Sequence, residues 1–208
     1  DSLQRLSTSG IPAETLIHIW RIFNRTMLEL TRGQQLDMRF EHQPIVTTKE
    51  YVSMITGKSA ALLSACAEMG ALIACSDPQI AQHYADFGLN LGIAFQIHDD
   101  ILGIWGNPSV TGKSAATDIL SRKKSLPVLY GLTHSEKLVA IYQRKEFAQA
   151  DVDEAIDELN ALDAQGFTRH AEQSYYNTAL SALEAANPQG QPSEWLMQLV
   201  NILFARNY

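Results

Sequence analysis

Phe95-Gln96-Ile97-His98-Asp99-Asp100 stands near the end of an apolar stretch whose periodicity predicts one long helix, from about Pro78 to Trp105. Two adjacent carboxylates on such a helix require an explanation. An unpaired buried charge costs far more than a helix gains from its apolar neighbours, so such groups are solvated, paired or metal-bound. Helical spacing puts Gln96, Asp99, Asp100 and Gly103 along one side. That side offers an amide, two carboxylates and a gap without a side chain. Hard oxygen donors of this kind suit magnesium, which takes one or two carboxylates and leaves its other positions to water and phosphate.

Outward from this stretch the chain reads as helix after helix. Asp77-Pro78 caps and starts the long helix, and Gly106-Asn107-Pro108 ends it. At about 1.5 Å per residue it is about 42 Å long. Gly88, Gly92 and Ala94 give it a narrow face suited to close packing. Upstream, Thr47-Thr48-Lys49-Glu50 is a capping box, opening a helix to about Cys75 whose centre, Gly57-Lys58-Ser59-Ala60-Ala61, is rich in small residues. Lys58 there is either a snorkelling lysine or a ligand group. Before it, Ser7-Thr8-Ser9-Gly10 is a loop. Leu16, Ile17, Trp20, Phe23, Met27, Leu28 and Leu30 recur at helical spacing, predicting a helix from Pro12 to about Phe40, with Pro44 after it. Gly33 inside that helix costs about 1 kcal/mol against alanine, which calls for close packing or a ligand.

Downstream, the loop from Ser109 to Gly112 leads to Lys113. The run from Asp118 to Pro127 reads as a short helix bent or stopped near Pro127. Its Arg122-Lys123-Lys124 is either a solvated face or an anion grip. Further helices are expected from about Ser135 to Phe147, from a cap at Asp151, from Gly166 to about Ala186, and around Trp195 to Phe204. The fold class is all-α, a single domain over residues 1–208.

The whole chain sets limits. It has 208 residues, is 46% hydrophobic and carries a net charge of −7. That is enough for one core, and it argues against a nucleic-acid surface. Cys66 and Cys75 form no CxxC pair and read as reduced core thiols in a reducing, cytoplasmic compartment. No uninterrupted apolar run reaches the ~18 residues of a membrane span. No signal peptide is visible. The histidines show no zinc spacing. The first residue is Asp1 rather than methionine, so a native amino terminus is not expected there.

Four ordered segments together resemble the trans-isoprenyl diphosphate synthases, the polyprenyl synthetase family. Gly33-Gln34-Gln35-Leu36-Asp37 is similar to its GQxxD segment. Tyr51 with Lys58-Ser59-Ala60 is similar to its Y…K-T/S-A segment. Phe95 to Asp100 resembles the FQxxDD second aspartate-rich motif. Gly112-Lys113, Asp118-Ile119, Lys123 and Ser125-Leu126-Pro127 resemble the segment that follows. The resemblance implies an isoprenoid-synthase helical bundle and a reaction. An allylic diphosphate ionises, its cation alkylates isopentenyl diphosphate, and proton loss leaves a chain longer by one isoprene unit.

It also implies roles. Asp99 and Asp100 would hold magnesium against the diphosphate, with Asp118 behind them orienting bound water or a lysine. Lys58, Lys113 and Lys123 would contact diphosphate oxygens as point charges. Gln96 would face the reacting end, Ser59 would bind substrate, and Gln34 and Asp37 would line the same cavity. A homodimer is implied too. Two departures stand out. Many members carry DDxxD where this chain has Gly103, and the first aspartate-rich motif has no counterpart upstream. The chain thus resembles the carboxy-terminal two-thirds of a synthase. The alternatives are a non-catalytic partner subunit, a class I terpene cyclase (whose NSE-type metal motif is not found), and a plain helical bundle.

Overall fold

The computed structural model describes residues 5, 10–106 and 116–205. Among them there are helices and connections and no strand. The helices are α1 (Ala13–His42), α2 (Thr48–Ile55), a π-helical turn (Thr56–Ala60), α3 (Ala61–Cys75), α4 (Pro78–Trp105), α5 (Thr117–Leu120), α6 (Leu126–His134), α7 (Glu136–Tyr142), α8 (Gln149–Ala161), α9 (Ala164–Ala186) and α10 (Gln191–Phe204).

Helix α4 is the centre. Its bounds are those expected from sequence, with the Asp77 side chain accepting from Gln79 and Ile80 N–H and Pro78 in the first turn. It packs along α3 on one side and α9 on the other. Ile97 and Ile101 are wholly buried, each worth about 1.5–3 kcal/mol of apolar burial. Gly88 and Gly92 bring α3 and the π turn to backbone contact: a Cβ at Gly92 would lie 2.6 Å from Ala60 Cα. One core cluster joins Phe40, Tyr51, Ile55, Ile93, Ile97 and Leu126 beneath the Asp99-Asp100 stretch. A second joins Ile104, Ile119, Val128, Leu138, Ile141 and Leu159 at the end of α4.

Several expectations are corrected. Pro127 lies in the first turn of α6 and starts that helix. Its missing N–H costs nothing there, which is why the residue opens a helix rather than stopping one. Asp151 sits inside α8, accepting from Ala148 N–H at 2.7 Å, so the helix begins earlier than a cap at Asp151. Helix α9 begins at Ala164, capped by Asp163, and α7 ends at Tyr142. Cys66 and Cys75 are exposed rather than core thiols, because one face of α3 is left uncovered. The continuous helical run Thr48–Cys75 is, by length and composition, apolar enough to cross a membrane, with mean hydropathy 1.3 over its best window. Lys58 and Glu68 interrupt that run in the sequence, which is why a search for unbroken apolar stretches passes over it. A core helix meets the same criterion, and 28% of the window is buried.

Candidate active site

The site is built where α2, the π turn, α4 and the segment after α5 meet. The capping box forms as expected: Thr47 Oγ1 accepts from Glu50 N–H at 3.2 Å, and Glu50 Oε2 accepts from Thr47 N–H at 2.8 Å. Glu50 is held below the usual carboxylate range, first by the Thr47 backbone N–H, then by the Thr47 hydroxyl and Gln43. This start turns Tyr51 inward, where it is 1% exposed.

Lys58 and Ser59 both lie in the π turn. Such single turns inside α-helices recur at functional sites. Here the extra residue bulges toward α1, and Gly33 receives it: a Cβ at Gly33 would fall 2.2 Å from Lys58 N and 2.7 Å from Lys58 Cα. Close packing therefore accounts for the glycine. The turn sends Lys58 Nζ to Asp37 Oδ2 at 2.5 Å and Ser59 Oγ to Gln96 Oε1 at 2.7 Å. The Lys58 side chain remains 37% exposed, so its charge can reach a solvent-borne anion.

Asp100 is the anchor of the other half. Its carboxylate accepts from Tyr51 OH (2.6 Å), Lys123 Nζ (2.9 Å) and Leu126 N–H (3.1 Å), and Gln96 Nε2 lies 3.5 Å from it. Both oxygens of this buried carboxylate are engaged by donors, which makes Asp100 an anchor of the site. Lys123 Nζ also donates to Asp118 Oδ2 at 2.9 Å. Burial opposes the charge of Lys123, but Asp100 and Asp118 outweigh it and hold the amine above its usual range, so this lysine is firmly cationic. Burial raises Asp118, with Lys123 opposing and Asp100 and Asp99 reinforcing. Burial and the Asp100 charge push the Tyr51 phenol well up.

Asp99 is half-buried and engages no donor among the described residues. No three His, Cys, Asp or Glu side chains converge as metal ligands among the described residues, so Asp99, Asp100 and Asp118 do not form a protein cage. The donors do fit a hard cation held by one or two carboxylates, water and phosphate: Asp99 is open, and Asp118 keeps one oxygen off Lys123.

The structure thus brings together Asp37, Lys58, Ser59, Gln96, Asp99, Asp100, Asp118 and Lys123. Gln34, one turn from Asp37, is exposed on α1. Lys113 lies outside the described residues. The basic run divides: Arg122 donates to Arg144 O (2.6 Å) and lies 4.5 Å over the Phe147 ring, Lys123 serves the carboxylates, and Lys124 donates to Phe40 O (2.5 Å). Sequence reasoning missed the roles of Tyr51 and the Leu126 N–H. It also missed His98, whose Nδ1 meets Glu172 Oε1 at 2.9 Å and ties α4 to α9. The sequence signals for Tyr51 were its position four residues after the Thr47 cap and its place in the segment shared with Lys58-Ser59-Ala60.

A sequence model of the family described as Polyprenyl synthetase matches residues 2–159. The geranylgeranyl diphosphate synthase of Sulfolobus acidocaldarius is 32% identical over 203 residues, covering 95% of this chain and 61% of the relative. The crystal structure of geranylgeranyl pyrophosphate synthetase from Pyrococcus horikoshii superposes with a TM-score of 0.88 at 29% identity, covering 98% of this chain and 63% of that one. The polyprenyl synthase from Caulobacter crescentus, crystallised in complex with calcium and isoprenyl diphosphate, gives a TM-score of 0.82 at 28% identity, covering 94% and 61%. This chain spans about three-fifths of the length of these relatives.

Proposed function

The chain belongs to the polyprenyl synthetase family, and from that we propose that it acts as a trans-prenyl diphosphate synthase, joining an allylic diphosphate to isopentenyl diphosphate. The observation that carries this reading is the hydrogen-bonded wall from Lys58-Ser59 through Gln96 and Asp100 to Lys123 and Asp118. It carries two partly exposed ammonium groups, Lys58 and Lys123, and a carboxylate, Asp99, that engages no donor among the described residues. The hard step is the departure of a multiply charged diphosphate, and preorganised positive charge stabilises that developing negative charge. Lys58 and Lys123 supply it here, and their carboxylate partners fix where each Nζ sits before substrate arrives.

Magnesium, when bound, would be held by Asp99 with Asp118 in support and would add further positive charge at the diphosphate. The Caulobacter relative, crystallised in complex with calcium and isoprenyl diphosphate, lends support to a divalent cation here. Gln96, on the same face as Asp100, is oriented by Ser59 toward the reacting end. Ile93 and Ile97 pack beneath this wall and hold it in place. A chain of the relatives' length would supply the rest of the cavity, and these roles are proposed for such a chain. A homodimer is part of the proposal: Ile17, Trp20, Met27, Leu28 and Met38 leave an apolar face of α1 exposed, and sedimentation at single-subunit mass would sink it. Exposed unpaired cysteines suit a reducing, cytoplasmic setting.

The test is Asp99→Ala in the full-length protein. Magnesium-dependent consumption of isopentenyl diphosphate is expected to be abolished, with the unfolding midpoint little changed because the side chain engages no donor among the described residues. Near-normal turnover would overturn the reading.

A further inference from the structure

Helix α5 is a single turn, and the way it ends decides where Lys123 goes. Arg122 N–H donates to Ile119 O at 2.9 Å, and Lys123 N–H donates to Asp118 O at 2.9 Å. These are the two bonds of a Schellman ending, which takes a left-handed residue at the position Arg122 holds. Arg122 has φ 52°. Glycine enters that region freely, whereas a Cβ there crowds the following carbonyl. The arginine side chain offsets this strain. Its guanidinium donates to Arg144 O at 2.6 Å and lies 4.5 Å over the Phe147 ring, a geometry that attracts a planar cation. Arg144 is itself tied down, its side chain paired with Asp151 and Glu154 of α8. Just beyond the turn, the Lys123 ammonium meets Asp100 and Asp118, each at 2.9 Å. A strained residue anchored to α8 through Arg144 thus immediately precedes the lysine of the site.

We propose that Arg122 is a positioning residue: its side chain, held by Arg144 O and Phe147, keeps the turn left-handed, and the left-handed turn carries Lys123 Nζ back to Asp100 and Asp118. Arg122 acts only through Lys123. Without the anchor, an L-residue at 122 relaxes toward negative φ, the Schellman bonds open, and Lys123 Nζ leaves its two carboxylates. Glycine needs no anchor, because it holds the left-handed conformation unaided. The proposal rests on the prenyl synthase reading only for what Lys123 does to diphosphate; the placement of Lys123 does not depend on it.

The test compares Arg122→Ala, Arg122→Val, Arg122→Gly and Phe147→Ala, the last alone and beside Arg122→Gly, in the full-length protein. Placement is read by the rate at which acetic anhydride modifies Lys123, followed by peptide mass spectrometry. An ammonium held between two carboxylates seldom loses its proton and reacts slowly. Function is read by the affinity for magnesium with inorganic pyrophosphate in titration calorimetry. Arg122→Ala and Arg122→Val are expected to speed acetylation of Lys123 and to weaken pyrophosphate binding, each by roughly tenfold, the scale of the left-handed penalty. Arg122→Gly keeps both within about twofold of wild type, although it removes the same guanidinium. Phe147→Ala loosens Lys123 in the arginine background and adds nothing to Arg122→Gly. An arginine that serves only folding would move the unfolding midpoint and leave both readings alone. Wild-type readings for Arg122→Ala, Arg122→Gly as impaired as Arg122→Ala, or an equal effect of Phe147→Ala in both backgrounds overturns the proposal. If Arg122→Val does not fold, Arg122→Ala and Arg122→Gly make the comparison without it. Failure of the unaltered protein to bind magnesium pyrophosphate overturns the functional reading, and acetylation of Lys123 then decides the proposal by itself.

Discussion

Replacing Gly33 by alanine is expected to damage the site without touching any group that meets substrate. The added Cβ would sit 2.2 Å from Lys58 N and 2.6 Å from Gly57 C. Restoring ordinary contact at 3.4 Å means that α1 and the π turn separate by about 1.2 Å, since both colliding partners are backbone and no rotamer relieves them. Two terms oppose each other in stability. Alanine gains about 1 kcal/mol in helix propensity, while forced overpacking costs about 1–3 kcal/mol. The net is a loss of up to about 2 kcal/mol, a fall of about 4–8 °C in a domain of this size. Function is expected to suffer more. Lys58 and Ser59 ride on the displaced turn, and a misplacement of about 1 Å can cost about 100-fold. The assay is kcat/KM for isopentenyl diphosphate consumption in the full-length protein, beside a thermal melt. Gly70, where an added methyl would meet nothing within 4 Å, is the control: Gly70→Ala should stabilise by about 1 kcal/mol and leave turnover unchanged. If Gly33→Ala melts at or above wild type and keeps kcat/KM within about twofold, the steric reasoning is wrong.

Tyr51→Phe removes one donor from buried Asp100 and is expected to cost about 1.5–3 kcal/mol in urea unfolding, the range for a hydrogen bond to a charged group; a loss below about 0.5 kcal/mol would mean that Lys123 and Leu126 N–H suffice. Thr47→Ala breaks the capping box and should cost about 1 kcal/mol, read in the same urea titration. The Glu50 carboxyl is depressed in the folded chain, so its contribution is complete above its unfolded value and disappears as pH falls through the folded one. Glu50→Gln should therefore flatten the acid limb of the stability–pH curve and leave its alkaline limb alone, and an unchanged acid limb would contradict this.

Much of the fold was legible because its signals are local. Asp77-Pro78 and Gly106 bound α4, and Thr47 with Glu50 starts α2, since caps are satisfied within one turn of chain. The site was legible as a set of residue types in order. Its wiring was not. Nothing in Thr56-Gly57-Lys58-Ser59-Ala60 distinguishes a π turn from an α-helical one; the distinction comes from α1 pressing at Gly33. Asp99 and Asp100 look equivalent in sequence, yet neighbouring helix positions point about 100° apart. One of them faces out and the other meets donors from α2, α6 and the segment between α5 and α6. The exposure of Cys66 and Cys75 likewise depends on which faces of α3 find a partner, which periodicity does not reveal.

The division of Arg122, Lys123 and Lys124 among three partners has a consequence for how this segment tolerates change. Arg122 takes a left-handed backbone conformation, φ 52°, which aims three consecutive side chains at the turn after α7, at the carboxylates of the site, and at the end of α1. The segment works as a junction whose reading frame matters more than its charge. Exchanging one cation for another disturbs a single spoke. Inserting or deleting one residue rotates all three at once, handing each anchor the wrong side chain. Length variation is expected to be far less tolerated at 122–124 than in the turn at Asn187-Pro188-Gln189-Gly190, and a scan of single-residue insertions through both segments would expose the contrast.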